Sequence, residues 1–130
     1  MNNTDTQLFF ERTNYKEGDT EIIIPGDLRI VPDGCFTNHT KLKKVTIEEG
    51  VEAICSYAFY NCFSLEEITI PQTIKEIHSW AFYCCYQLKE ISIPFKNITR
   101  MDNFCFGKAK QSFGIHFNTI HLGHIDSVLD

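Results

Sequence analysis

The sequence predicts a β-dominated solenoid of about four 23-residue coils with short helical turns, closed by end caps, and three observations carry that prediction. Ile22, Val45, Ile68 and Ile91 recur at a 23-residue step, as do Ile24, Ile47, Ile70 and Ile93. Phe36, Phe59 and Phe82 keep the same step, and so do Leu42, Leu65 and Leu88. Whole lines return as well: KKVTIEEGVEAICSYAF (43–59) is echoed by EEITIPQTIKEIHSWAF (66–82). A fixed period of this length marks stacked supersecondary units, none of which can bury its apolar face alone.

Taken in order, residues 1–20 read as an N-terminal cap in which Leu8, Phe9 and Phe10 cover the first coil. Repeats then fill 21–117. Each opens with an apolar-polar-apolar strand such as Ile68-Thr69-Ile70. Pro25, Pro71 and Pro94 close that strand by withholding a ladder donor. A second alternating piece, Ile77 to Ala81, predicts a short strand on the opposite side, and Phe82 to Leu88 turns the chain back in a short helical turn. The fourth unit carries one extra residue before Ile98, after which Met101, Phe106, Ile115 and Phe117 resume the pattern. Residues 118–130 read as a C-terminal cap built on Ile120, Leu122, Ile125, Val128 and Leu129.

The stretch LEEITIPQTIKEIHSWAFYCCYQL (65–88), with its leucine, paired isoleucines, proline, Ala-Phe pair and later cysteine, resembles the BspA-type leucine-rich repeat. The resemblance implies a leucine-rich-repeat solenoid, right-handed and curved, with a parallel sheet on one face. It implies surface or secreted proteins that bind other proteins, adhesins among them, and repeats without catalytic residues. The first unit departs from the pattern at Val31-Pro32-Asp33-Gly34-Cys35-Phe36.

Composition bounds the partners. The chain has 130 residues, 43% apolar and 22% charged, as expected of one folded domain. A formal net charge of −5 disfavours nucleic acid and anionic membranes. The N-terminal segment lacks the basic start and apolar core of a secretory signal, and no run is long enough to span a membrane. The chain as written is therefore expected in the cytoplasm, or at the cell surface or secreted if a longer precursor exists. In that setting its six cysteines are expected as thiols.

Residues of equal phase stack about 4.8 Å apart in neighbouring coils, so the repeat converts sequence into a surface map. Cys35 and Cys105 share a small interior position with Ala58 and Ala81, and Cys62 and Cys85 share another. Both pairs read as small hydrophobes rather than metal ligands. Cys84 stands where Asn38 and Asn61 stand, giving up a backbone-bonding role. His116, His121 and His124 lack metal-ligand spacing and read as cap surface. No metal or cofactor is expected.

Cys55, His78 and Asp102 fall at one phase in consecutive coils, the row a cysteine nucleophile would need. That phase points out of an open face, an exposed thiol beside an exposed imidazole, with no cleft and no oxyanion donors, so an enzyme is not expected. Two faces remain for partner binding. The first sheet presents the ladders Glu21, Lys44, Glu67, Glu90, Gly114 and Ile23, Thr46, Thr69, Ser92, His116. The opposite side presents Tyr57, Trp80 and Phe104 in one row and Tyr60 and Tyr83 in another. A row of exposed rings is the form of an interface anchor, although stacked rings also stabilise neighbouring coils. Five rungs of strands about 15 Å long give a concave sheet of about 360 Å², against about 800 Å² per partner in a specific interface. A large partner must therefore also take an edge, a cap or the aromatic side, or the chain self-associates through its caps.

The reading that results is a non-enzymatic protein–protein binding module. The alternatives are a small intracellular inhibitor or adaptor that occludes a target enzyme, as in a conflict between virus and host, and a fragment of a surface adhesin.

Overall fold

The computed structural model describes residues 3–89, 91–108 and 115–117, with side chains from residue 6 onward except at 92, 95 and 115–117. Parallel strands line two sides of a solenoid and, among the described residues, pair into three sheets. On one side β1 (Glu21–Ile24), β3 (Lys44–Ile47) and β5 (Glu67–Thr69) pair in that order. Next along the axis, β7 (Ile91–Ile93) packs beside β5 and pairs with β9 (Ile115–Phe117). On the other side β2 (Ile30–Val31), β4 (Ala53–Ile54), β6 (Glu76–Ile77) and β8 (Arg100–Met101) form one four-stranded ladder.

The register follows the sequence period. Ile22 faces Val45 and Val45 faces Ile68; Val31, Ile54, Ile77 and Met101 continue one another across the second sheet. Burial alternates along β1, with Ile22 and Ile24 inside and Glu21 and Ile23 outside, because neighbouring side chains of a strand point to opposite faces. Ile68 is half-buried against the core, while Ile77 and Phe82 are fully enclosed. Phe36, Phe59, Phe82 and Phe106 form a spine through the interior, stacked at centroid spacings of 5.2, 5.1 and 5.0 Å and within 6° of parallel.

The third side of each coil is a turn, and here one expectation needs correction. The strand that opens at Glu76 stops at Ile77 instead of reaching Ala81, and residues 79–84 are turns. Two residues per coil take left-handed φ. The first position holds Gly34, Tyr57, Trp80 and Phe104 at 63°, 62°, 66° and 62°; the second holds Asn38, Asn61, Cys84 and Lys108 at 65°, 61°, 64° and 58°. A left-handed residue cannot continue a strand, which is why the alternation read from Ile77 onward does not extend.

Backbone hydrogen bonds in this turn alternate in direction. Ala58, Tyr60 and Cys62 donate within their own coil to Cys55, Tyr57 and Phe59, whereas Phe59 and Asn61 donate to Ala81 and Tyr83 of the next coil. Every second amide thus ties coil to coil, and buried backbone groups on this strandless side find partners. The prolines precede short 3-10 turns at Gly26–Leu28 and Phe95–Asn97, and the latter absorbs the extra residue of the fourth unit. Helical turns therefore follow the first sheet, not Phe82 to Leu88.

The N-terminal cap is a helix, α1 (Asn3–Thr13). Phe9 and Phe10 meet Phe36 edge-on at 5.9 and 5.4 Å, and Tyr15 meets the same ring at 5.3 Å. Three rings thereby close the open end of the phenylalanine spine. Arg12 holds Asp27 at 2.6 Å and fastens the end of the helix to the first coil. Leu8, expected to share this work, instead lies on the solvent side of α1 with 53% of its surface exposed. The C-terminal cap residues Ile120, Leu122, Ile125, Val128 and Leu129 lie outside the described residues.

The first two coils approach each other closely at Gly26 and Gly50. A Cβ on Gly26 would stand 1.8 Å from the Glu49 carbonyl oxygen, and Gly50 sits at φ 116° with the Gly26 oxygen 2.7 Å from its own Cβ position. Gly26→Ala is expected to push these coils apart and to cost about 1–3 kcal/mol, the range for overpacking a tight contact. Urea unfolding of the purified variant measures this; an unchanged midpoint and slope would refute the close approach.

Candidate functional site

Cys35, Cys62, Cys85 and Cys105 are buried at the positions the period assigned to them. The Cys62 thiol donates to the Phe36 carbonyl and the Cys85 thiol to the Phe59 carbonyl, both at 3.2 Å, so each stitches its coil to the preceding one. Burial raises the Cys62 thiol to about 12 and the Cys35, Cys85 and Cys105 thiols in the same direction. These groups are structural: a nucleophilic cysteine needs a lowered pKa and access. Among the described residues no cluster of three or more His, Cys, Asp or Glu forms that would hold a metal.

Cys55, His78 and Asp102 do stand in consecutive coils, but their partners are other residues. His78 donates from Nε2 to Glu76 Oε1 at 2.7 Å. Asp102 is gripped by Arg100 through two bonds of 2.7 Å, and this guanidinium holds its carboxyl below the usual carboxylate range. Burial, with Asp33 adding to it, pushes the Cys55 thiol up to about 11. The side chains are half-buried rather than exposed as expected. Each departure removes an element of nucleophilic catalysis: the thiol is less acidic, the imidazole is oriented by a different carboxylate, and the expected third member is ion-paired to Arg100.

On the first sheet, Glu21, Lys44 and Glu67 are exposed and stand in register, as do Ile23, Thr46 and Thr69. Alternating charge along the first row keeps its field short-ranged. Glu90 and Gly114 lie outside the described residues, and for Ser92 and His116 only the backbone is described, as paired neighbours of β7 and β9. His121 and His124 also lie outside them.

The turn side is where side chains converge. Tyr57 stacks on Trp80 at 6.1 Å and 2°, and Trp80 on Phe104 at 4.7 Å and 27°. Tyr60 stacks on Tyr83 at 5.6 Å. The two rows meet edge to face, Tyr57 with Tyr60 at 5.2 Å and Trp80 with Tyr83 at 4.7 Å. A third row was missed by sequence reasoning: Phe63 and Tyr86, stacked at 5.6 Å and 13°, are 41% and 46% exposed. Their 23-residue separation is the sequence signal that marks them. Asn61 donates to the Asn38 side chain at 3.0 Å between the rows, and in the next coil Cys84 accepts the Tyr86 hydroxyl at 3.2 Å.

Left-handed φ at Tyr57, Trp80 and Phe104 is unusual for bulky residues, and it turns their rings out of the coil. The result is an aromatic surface on which Tyr57, Phe63 and Tyr86 are exposed, whereas Trp80, Phe104, Tyr60 and Tyr83, expected to be exposed, are half-buried because each packs against its ring neighbours. Because rings within a row lie face to face, they offer edges outward, not the open faces on which bases stack.

Comparison with known proteins agrees with this architecture. A family model described as BspA type leucine rich repeat region matches residues 9–124 in six copies. Among solved structures, the pneumococcal vaccine antigen PcpA is 28% identical with a TM-score of 0.69, the match covering 77% of this chain and 25% of that one. A leucine-rich repeat protein from Bacteroides capillosus is 25% identical, TM-score 0.67, with 79% and 83% covered. The T. pallidum leucine rich repeat protein TpLRR shares the fold at 21% identity and TM-score 0.66, with 75% and 51% covered. The chain thus spans about a quarter of the pneumococcal antigen and half of the treponemal protein. No curated protein matches it.

The raised Cys55 thiol generates a direct test. Its thiolate fraction near pH 7.5 is expected to fall by about two orders of magnitude relative to an ordinary thiol. Iodoacetamide should therefore label Cys55 far more slowly in the native chain than in urea, as read by peptide mass spectrometry. Rapid stoichiometric labelling of the native chain would restore it as a nucleophile.

Proposed function

Given that the chain belongs to the BspA-type leucine-rich repeat family, we propose that it is a non-enzymatic module that binds another protein through the turn side of its solenoid. The observation that carries this reading is the aromatic surface: seven rings in three rows, Tyr57, Trp80 and Phe104, Tyr60 and Tyr83, Phe63 and Tyr86, all outside the core. Core packing accounts for the phenylalanine spine and does not account for these rings. Large, rigid aromatics lose little conformational entropy on binding and dominate interface energetics.

The concave sheet plays the smaller part. Glu67, Thr69, Lys44 and Thr46 offer polar contacts suited to the rim of an interface, where each pair adds little. The short coil stack supplies too little concave area for a large partner, so the ring-bearing side provides the anchor. The solenoid needs no cofactor for this work.

Trp80→Ala is expected to weaken retention of the partner at least tenfold while the far-ultraviolet spectrum stays that of the parent chain. Affinity capture from the source cells, quantified against the unsubstituted chain, measures it. Equal retention by the two would remove the aromatic side as the binding surface. Where the retained protein is an enzyme, its turnover in the presence of the module separates occlusion from attachment.

A further inference from the structure

The row of Tyr57, Trp80 and Phe104 has no ring in the first coil. Residues 34, 57, 80 and 104 occupy one position of successive coils, and at the first of these the chain has Gly34. All four residues share left-handed φ, so the backbone at 34 already has the conformation that carries a ring at 57. A Cβ on Gly34 meets nothing nearer than the Thr37 Oγ1 at 3.5 Å. Among the described residues, none crowds the start of a side chain at this position.

In this row the Tyr57 face toward the first coil is consequently left open. Trp80 has Tyr57 on one side and Phe104 on the other. Tyr57 has Trp80 on one side and Gly34 on the other. Tyr60 does not cover the second face, because Tyr83 holds the same edge-on relation to Trp80, whose two faces are both stacked. Tyr57 is accordingly the most exposed ring of its row, at 43%. Asp33, exposed and next in chain to Gly34, is held by the Ser56 amide on Oδ1 at 3.0 Å, which places its carboxylate one residue from Tyr57. The Thr37 hydroxyl is engaged with the Tyr57 carbonyl at 2.7 Å.

We propose that this gap receives the guanidinium of an arginine presented by the protein partner, lying flat on Tyr57 and paired with Asp33. The inference rests on the turn side being the binding surface and names the chemistry that it recognises. A guanidinium stacks on an aromatic face through its plane while its edge donates to a carboxylate, so one group satisfies both features. A neutral ring would fill the space and leave the carboxylate without a counter-charge. An acidic group is repelled by Asp33 and by a chain of net charge −5. Lysine meets the charge requirement but not the planar one.

The test is a titration of the purified chain with acetyl-arginine-amide, followed by NMR at the Tyr57 ring and the Gly34 amide, with acetyl-lysine-amide and acetyl-citrulline-amide alongside. Saturable shifts are expected with the arginine compound, weaker ones with lysine, and none that saturate with uncharged citrulline. Asp33→Asn should weaken the arginine response about three- to tenfold. Gly34→Tyr supplies the missing ring and should abolish it; should that variant fail to fold, Tyr57→Leu serves the same purpose by removing the face. Citrulline matching arginine, no saturable response, or an unaltered titration in Gly34→Tyr or Tyr57→Leu would each overturn the proposal. Partner capture separates the two levels of inference. Loss with Trp80→Ala but full retention with Gly34→Tyr leaves the turn side standing and removes the arginine; full retention with both removes the turn side as well.

Discussion

The rise from one coil to the next, about 5 Å, is the constraint on which the remainder of this structure depends. It is set from inside by Phe36, Phe59, Phe82 and Phe106, whose parallel rings stack at 5.0 to 5.2 Å, and from the walls by parallel strands whose hydrogen bonds demand nearly the same spacing. Two independent interactions thus prefer one distance, and neither strains the other. Every position in the 23-residue unit inherits that rise, so whatever occurs once on the surface occurs again about 5 Å further on.

Surface chemistry follows from this regularity. On the sheet sides, equal phase produces charge ladders such as Arg29–Glu52–Lys75, in which Glu52 meets its neighbours at 3.0 and 3.5 Å. Exposed pairs of this sort are worth little individually. On the turn side, equal phase produces stacks of rings. The turn's two left-handed residues are what direct those rings outward, and the alternating amide bonds between coils hold the backbone in that unusual conformation. Backbone strain and surface pattern are in this way one feature.

Much of the fold was legible in the sequence because the period speaks about inside and outside at every position at once. The burial of Ile22, Ile24, Phe36 and Phe82, the interior cysteines and the stacking of Tyr57 on Trp80 all follow from phase alone. What could not be read was local conformation. Ile77 to Ala81 alternates like a strand, yet Trp80 takes a left-handed φ that no propensity predicts for tryptophan. Helix α1 was hidden because Leu8, Phe9 and Phe10 are adjacent rather than spaced three or four apart, and only Phe9 and Phe10 turn onto the core side. Gly34, Asn38 and Asn61, three of the four residues at the turn's left-handed positions in the first two coils, held the clue, since glycine and asparagine adopt this conformation at least cost. Phe63 and Tyr86 went unread for a different reason: a turn was treated as connection, whereas in a stack a turn is also a wall.

The position of the one tryptophan has a spectroscopic consequence. Trp80 lies between Tyr57 and Phe104, so its emission responds to the separation of the second, third and fourth coils and to nothing on the first. Repeat arrays lose their units by nearest-neighbour steps, often from an end. Fraying that began at α1 and stopped short of Tyr57 would leave the indole's surroundings intact, and a melting curve followed by fluorescence would show a stable protein whose first coil had already opened.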